Sequence, residues 1–124
     1  MRKGVIISLF LFVIFLYFYN NFFASKMILG TYVNRNYNQS HSIAEIPNVA
    51  DTLVILKDNK FISQYWGEGS YELYYTIKGT EIDLMYDYEF GKAGFRTSID
   101  RIMYFGGLKI DLFRDLNQYY EKIY

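Results

Sequence analysis

The chain has no cysteine, one histidine and one proline in 124 residues, and its 13 basic side chains are matched by 13 acidic ones. Without cysteine there is no disulfide framework, no thiolate zinc site, no cysteine nucleophile and no cysteine to carry a lipid. A formal charge of zero supplies no electrostatic footprint for nucleic acid, so no nucleic-acid partner is expected. Imidazole chemistry has a single candidate, His41. The length accommodates one modest domain.

What the chain has in abundance is aromatic side chains, 21% of the total, and they are divided between two unlike parts. Arg2 and Lys3 precede an uncharged run over residues 4–25 that includes Val5, Ile6, Ile7, Leu9, Phe10, Leu11, Phe12, Val13, Ile14, Phe15 and Leu16. About 20 helical residues cover a hydrocarbon layer roughly 30 Å thick, so residues 1–25 read as a transmembrane helix. Cleavage of a leader needs small residues at the last position and two before it. A cut after Ala24 places Phe22 there, and a cut after Ser25 places Phe23. The expectation is a retained signal anchor with its N-terminus cytoplasmic, and a cleaved signal peptide is the alternative. Tyr17, Tyr19, Asn20 and Asn21 then sit at the far interface, the segment takes no part in a protein core, and residues 26–124 form an extracytoplasmic domain.

That domain has 11 basic and 13 acidic residues, and Leu, Ile, Val and Phe make up 27 of its 99 positions. This exceeds the roughly 20% below which disorder is the default. Its hydrophobic period is two. Tyr71, Leu73, Tyr75 and Ile77 alternate with polar neighbours, as do Ile82, Leu84, Tyr86, Tyr88 and Phe90, which predicts two half-buried strands. A two-residue turn at Gly79-Thr80 sets Ile77 opposite Ile82, Tyr75 opposite Leu84 and Glu72 opposite Asp87. A second return at Gly91 to Gly94 sets Phe90 opposite Phe95 and Glu89 opposite Arg96, opening a strand from about Phe95 to Tyr104. Further strands are expected at Leu29 to Asn34, Thr52 to Leu56, Phe61 to Trp66, Leu108 to Leu112 and Tyr119 to Tyr124. Asn59 tolerates positive φ in the Lys57 to Lys60 turn, and Trp66 to Gly69 makes another return. The sum is an all-β antiparallel meander of seven or eight strands, closing as a barrel or sandwich. Residues 36–49, with His41 and Pro47, read as a long loop able to serve as a lid.

Leu29-Gly30-Thr31-Tyr32, the Lys57 to Phe61 turn and Gly69-Ser70-Tyr71 together resemble the small bacterial lipocalin-like domains. The resemblance implies a small barrel with Tyr32 in the place of a tryptophan at one barrel end, and Arg101 or Arg114 packing across that end. The string Tyr88 to Phe95 behind an apolar N-terminal segment also resembles short envelope proteins of Bacteroidetes-type bacteria, which brings no assigned activity.

Three groups carry the candidate chemistry. His41 between Ser40 and Ser42 has a serine neighbour but no orienting carboxylate or oxyanion hole in view, so an enzyme is not expected and no catalytic residue or cofactor is assigned. Glu81, Asp83, Asp87 and Glu89 lie on one strand face, where alternate side chains are about 6.6 to 6.8 Å apart. This is too far for neighbours to share a small cation, and no metal site is assigned. The aromatic group Tyr65, Trp66, Tyr71, Tyr75, Tyr86 and Tyr88, with Phe90 and Phe95, is the candidate lining of a small apolar pocket. The function expected is a non-catalytic, membrane-anchored binding module for a small apolar ligand or lipid. The alternative is an interaction or inhibitor module, immunity-like, acting on another envelope protein. A cavity inside the barrel discriminates for the first, and a filled core with an exposed patch for the second.

Overall fold

A computed structural model describes residues 2–37, 47 and 49–124. Helix α1 (Arg2–Asn21) leads through a one-turn helix α2 (Ser25–Ile28) into eight strands: β1 (Gly30–Arg35), β2 (Thr52–Leu56), β3 (Lys60–Ser63), β4 (Gly67–Thr76), β5 (Gly79–Tyr88), β6 (Gly91–Arg101), β7 (Leu108–Phe113) and β8 (Gln118–Lys122). Each strand pairs with its sequence neighbour, and β8 pairs antiparallel with β1, so the meander closes as an eight-stranded barrel. Of the two closures expected, the barrel is the one adopted. Turns of such a meander alternate between its ends. The start of β1, the β2–β3, β4–β5 and β6–β7 turns and the end of β8 lie at one end, where α1 joins.

The period of two decides the inside. Tyr32, Leu53, Ile55, Phe61, Tyr71, Ile82, Leu84, Ile99, Ile110 and Tyr120 are each at most 2% exposed. An eight-stranded barrel is just wide enough for its own side chains to fill, and four of these ten are aromatic.

Two expected hairpins keep their faces but change partners. The first turns on Ile77 and Lys78, not Gly79-Thr80, so Tyr71 pairs with Leu84, Leu73 with Ile82 and Glu72 with Asp83. The shift is four residues along β5; an even shift leaves every side chain on its expected face. The cause is tertiary. Gly79, at φ 128°, lies so close to the carbonyl of Asn21 in α1 that a Cβ would come within 2.8 Å of its oxygen, while Thr80 is buried against the same residue. The second hairpin turns on Glu89 and Phe90, which pairs Leu84 with Phe95 and Asp83 with Arg96, and β6 begins at Gly91 accordingly. The Trp66 to Gly69 return is also displaced: Ser63 pairs with Gly67 around Gln64 to Trp66. Gly69 is a strand residue, since a Cβ there would meet the Phe61 ring at 2.6 Å. Asn59 has positive φ as expected, and so has Asp58.

The expectation that the apolar segment takes no part in the core is also corrected. Val5 through Val13 present exposed side chains, but Phe23 is 1% exposed and Asn20 and Ile28 are buried with it. The Phe23 N–H donates to Thr80 Oγ1 (3.1 Å), whose hydroxyl donates to the Asn21 carbonyl (2.8 Å), and the Tyr75 hydroxyl donates to the Phe23 carbonyl (2.7 Å). The change from helix to barrel thus falls inside the uncharged run. His41, Ser40, Ser42 and most of the expected lid loop lie outside the described residues.

Candidate functional site

The six aromatic candidates do not line one space. Tyr71 is buried beside the β2–β3 turn, its hydroxyl donating to the Leu56 carbonyl (3.2 Å) and its N–H to that of Asn59 (2.9 Å). Tyr75 closes the helix end over Phe23. Trp66, 5% exposed, has Tyr65, Tyr86 and Phe95 packed edge-on around it at 5.1 to 5.9 Å, at the opposite end. Tyr88 is exposed and pairs with Phe90 at the β5–β6 tip. Tyr65, Trp66 and Tyr86 are brought together; Tyr71, Tyr75 and Tyr88 are each elsewhere.

Tyr32 is fully buried and donates to the Ile28 carbonyl (2.6 Å); burial raises its pKa well above that of an ordinary tyrosine. Arg101 closes the same end, with its guanidinium 4.0 Å above the Tyr19 ring and 5.3 Å from that of Phe23. It also donates to the carbonyls of Tyr19 (2.9 Å) and Gly106 (3.2 Å). The Arg101 guanidinium is therefore seated over Tyr19 of α1 and Phe23 of the segment that follows it. Arg114 belongs to the other end, where it pairs with Asp111 through two hydrogen bonds of 3.0 and 3.1 Å.

Two polar clusters carry no strong sequence signal, one at that far end and one on the outer wall. Asp51, 4% exposed, accepts from the Gln64 and Tyr65 N–H groups (3.0 Å each), Ser63 Oγ (3.0 Å) and the Tyr120 hydroxyl (2.5 Å). Its own N–H donates to Asn34 Oδ1 (2.8 Å). The carboxylate thereby ties β3 to β8, the Asp51 N–H adds β1, and burial together with the adjacent carboxylate raises the pKa of Tyr120. The only sequence trace of it is a lone acid just before an apolar strand.

The second cluster lies on the outer wall. Lys109 stands 3.7 Å from Asp100 and 3.3 Å from Asp111, with Arg114 3.8 Å from Asp100, around a hollow of about 260 Å³. Asp100 Oδ1 has no hydrogen-bond partner. Burial first, and the Asp111 charge second, push the Asp100 pKa up to about 6, against the pull of Lys109 and Arg114. A carboxyl raised in the folded state holds its proton longer than in the unfolded chain. Its stabilising protonation is complete below about pH 4 and lost as pH rises through 6. We expect stability to fall on the order of 2 kcal/mol across that window and Asp100→Asn to flatten the fall. Unfolding midpoints between pH 4 and 7.5 check this, and an unchanged slope in the variant would contradict it.

The acidic row is dispersed among partners. Glu81 pairs with Arg96 at 2.9 Å, Glu72 accepts from the Tyr74 hydroxyl (2.5 Å), and Asp87 faces Lys92 across the ladder. Among the described residues no three metal-ligating side chains converge.

A hollow of about 470 Å³ lies on the outside of the barrel across β2 to β5. Leu56, Ile62 and Met85 supply its apolar walls, Lys60, Lys92, Glu68 and Asp87 its charges, and Gly69 and Ser70 its floor. It exists because the outward row Leu56, Lys60, Ser70, Met85 drops to a small side chain at Ser70. Beside it, β6 pairs with β7 only over Ile99 to Arg101. Residues Gly91 to Ser98 therefore have a ladder partner on the β5 side alone among the described residues, an edge of the kind that pairs with an added strand.

The fold and these surfaces define an eight-stranded antiparallel meander barrel joined to one N-terminal helix long and apolar enough to cross a membrane. Comparison with known proteins finds no matching family model, curated protein or solved structure.

Proposed function

We propose that this is a single-pass membrane protein whose extracytoplasmic barrel is a non-catalytic interaction or inhibitor module, engaging another envelope protein through its outer wall. The observation that carries this reading is the filled interior. Tyr32, Phe61, Tyr71 and Tyr120 occupy the space in which a lipocalin-like barrel would hold a ligand, while the open groove and the one-sided β6 edge are both external. The groove's mix of aliphatic walls and both charge signs suits an amphipathic protein segment better than a lipid tail. Retention of the anchor is supported by Phe23, because cleavage after Ala24 or Ser25 would withdraw a buried ring from the core. Arg2 and Lys3 favour a cytoplasmic N-terminus.

A photoreactive amino acid at Ile62 or Met85 in the host is expected to give one discrete protein adduct, with none from Tyr119 on the opposite wall. Native mass spectrometry of the protein extracted from host membranes then separates the two readings. A co-purifying protein supports the interaction module, whereas a retained small molecule without a protein adduct overturns it for a ligand binder. A mature chain starting at Ser25 or Lys26 would overturn the retained anchor.

A further inference from the structure

We propose that the helix end of the barrel is itself a lipid-contacting surface, seated on anionic headgroups with its loop tips in the membrane interface. This rests on α1 spanning the bilayer. The helix has 20 residues, which at 1.5 Å each gives about 30 Å, the thickness of the hydrocarbon layer. No spacer follows it: the carbonyls of Tyr19 and Asn21 are already bonded to Arg101 and Thr80 of the barrel. A span that ends where the barrel begins leaves this end at headgroup depth.

The side chains there match that depth. Ile77 on the β4–β5 turn and Met103 on the β6–β7 connection are each 89% exposed, and Phe105 is 64% exposed. These are large apolar groups on turn segments, where water-facing tips ordinarily carry polar residues. The segments at this end, α2 with its flanks, the β2–β3, β4–β5 and β6–β7 turns and the end of β8, contribute the side chains of Lys26, Lys57, Lys78 and Lys122 against one acidic side chain, Asp58. Basic side chains beside apolar tips are the pattern of an anionic lipid surface contact. The described turns of the far end also present an exposed apolar tip, Phe90 at 83%, but no basic excess: Glu89 stands beside it, and Arg114 and Asp115 are on another turn.

A second observation points into the same layer. Leu16, Tyr17, Asn20, Asn21 and Phe105 enclose a notch of about 210 Å³ between the last turns of α1 and the β6–β7 connection. Asn20 is 6% exposed, its amide donates to the Leu16 carbonyl (2.8 Å), and its Oδ1 has no hydrogen-bond partner. An unpartnered acceptor beside apolar walls at the membrane boundary suits the hydroxyl or ammonium donor of a lipid headgroup.

The absence of native cysteine permits a direct test on the full chain in phosphatidylcholine vesicles with or without phosphatidylglycerol. Spin labels are placed singly at Ile77→Cys, Met103→Cys, Phe90→Cys and Val13→Cys, and their access to a water-soluble relaxant is measured. The expected result is a Val13 label at bilayer depth, Ile77 and Met103 labels shielded more strongly when phosphatidylglycerol is present, and a Phe90 label in water. Reversing Lys57 and Lys78 to glutamate is expected to reduce the phosphatidylglycerol-dependent shielding by about fivefold or more, since each basic residue at an anionic surface contributes a factor of that order. Water-exposed Ile77 and Met103 labels with Val13 still at bilayer depth would overturn this inference and leave the anchor standing. A water-exposed Val13 label would overturn the anchor itself. Shielding that charge reversal does not move would overturn the role of anionic headgroups.

Discussion

Replacing Phe23 by alanine in the full chain is expected to lower the unfolding free energy in detergent by about 3–4 kcal/mol, because a fully buried aromatic ring is lost and a cavity remains. For a domain of this size that corresponds to a fall in Tm of roughly 15 °C or more. The ring is 1% exposed and packs in the same core as Tyr32 and Ile28, with Arg101 closing over it. Phe10→Ala removes the same atoms from the middle of α1, where the ring is 64% exposed. It is expected to leave detergent stability within about 0.5 kcal/mol. Thermal unfolding followed by near-ultraviolet circular dichroism compares the two. Equal effects would mean that α1 is only a leader to the barrel and that Phe23 is not a core residue.

The largest polar effect is expected at Asp51. Asp51→Ala leaves two hydroxyls and two backbone N–H groups without their shared acceptor. Each unsatisfied buried donor costs about 1–3 kcal/mol, and water reaches Gln64 and Tyr65 more readily than it reaches Tyr120. The net loss is therefore set at about 4 kcal/mol. Asp51→Asn keeps one acceptor oxygen for the backbone pair and turns an amide toward Tyr120 and Ser63, whose hydroxyls can rotate to accept, so it should lose about half as much. Tyr120→Phe removes a single bond and is expected to cost about 1–2 kcal/mol. A cycle combining Asp51→Ala with Tyr120→Phe should fall well short of additivity, because both changes remove the same bond. Additive losses would mean that the carboxylate and the hydroxyl act independently.

These two residues are alike in giving no local sign of their role. Phe23 lies in an uncharged run that announces a membrane helix, and nothing local separates its last aromatic from those before it. It enters the core only because Thr80, Tyr75 and Arg101 converge on the helix end from sequence distances of more than 50 residues. Asp51 is equally silent, since its four donors come from β3, the turn that follows it, and β8. Ile77 and Met103 were no more legible: the alternating pattern places both in expected strands, and they become turn residues only through the register of β4 on β5 and the end of β6 at Arg101.

The sequence by itself determined which residues point inward, because a period of two is a local property that survives any even change of register. It determined the apolar span by the same kind of local count. Strand partners, the turns at Ile77-Lys78 and Glu89-Phe90, and the closure of β8 on β1 were decided by tertiary structure. Competing registers that conserve faces bury similar area, and the choice among them falls to close contacts such as Gly79 against Asn21 and Gly69 against Phe61. The places of the large aromatic side chains were decided in the same way, Tyr32 against Ile28 toward the helix end and Tyr120 against Asp51 at the far end.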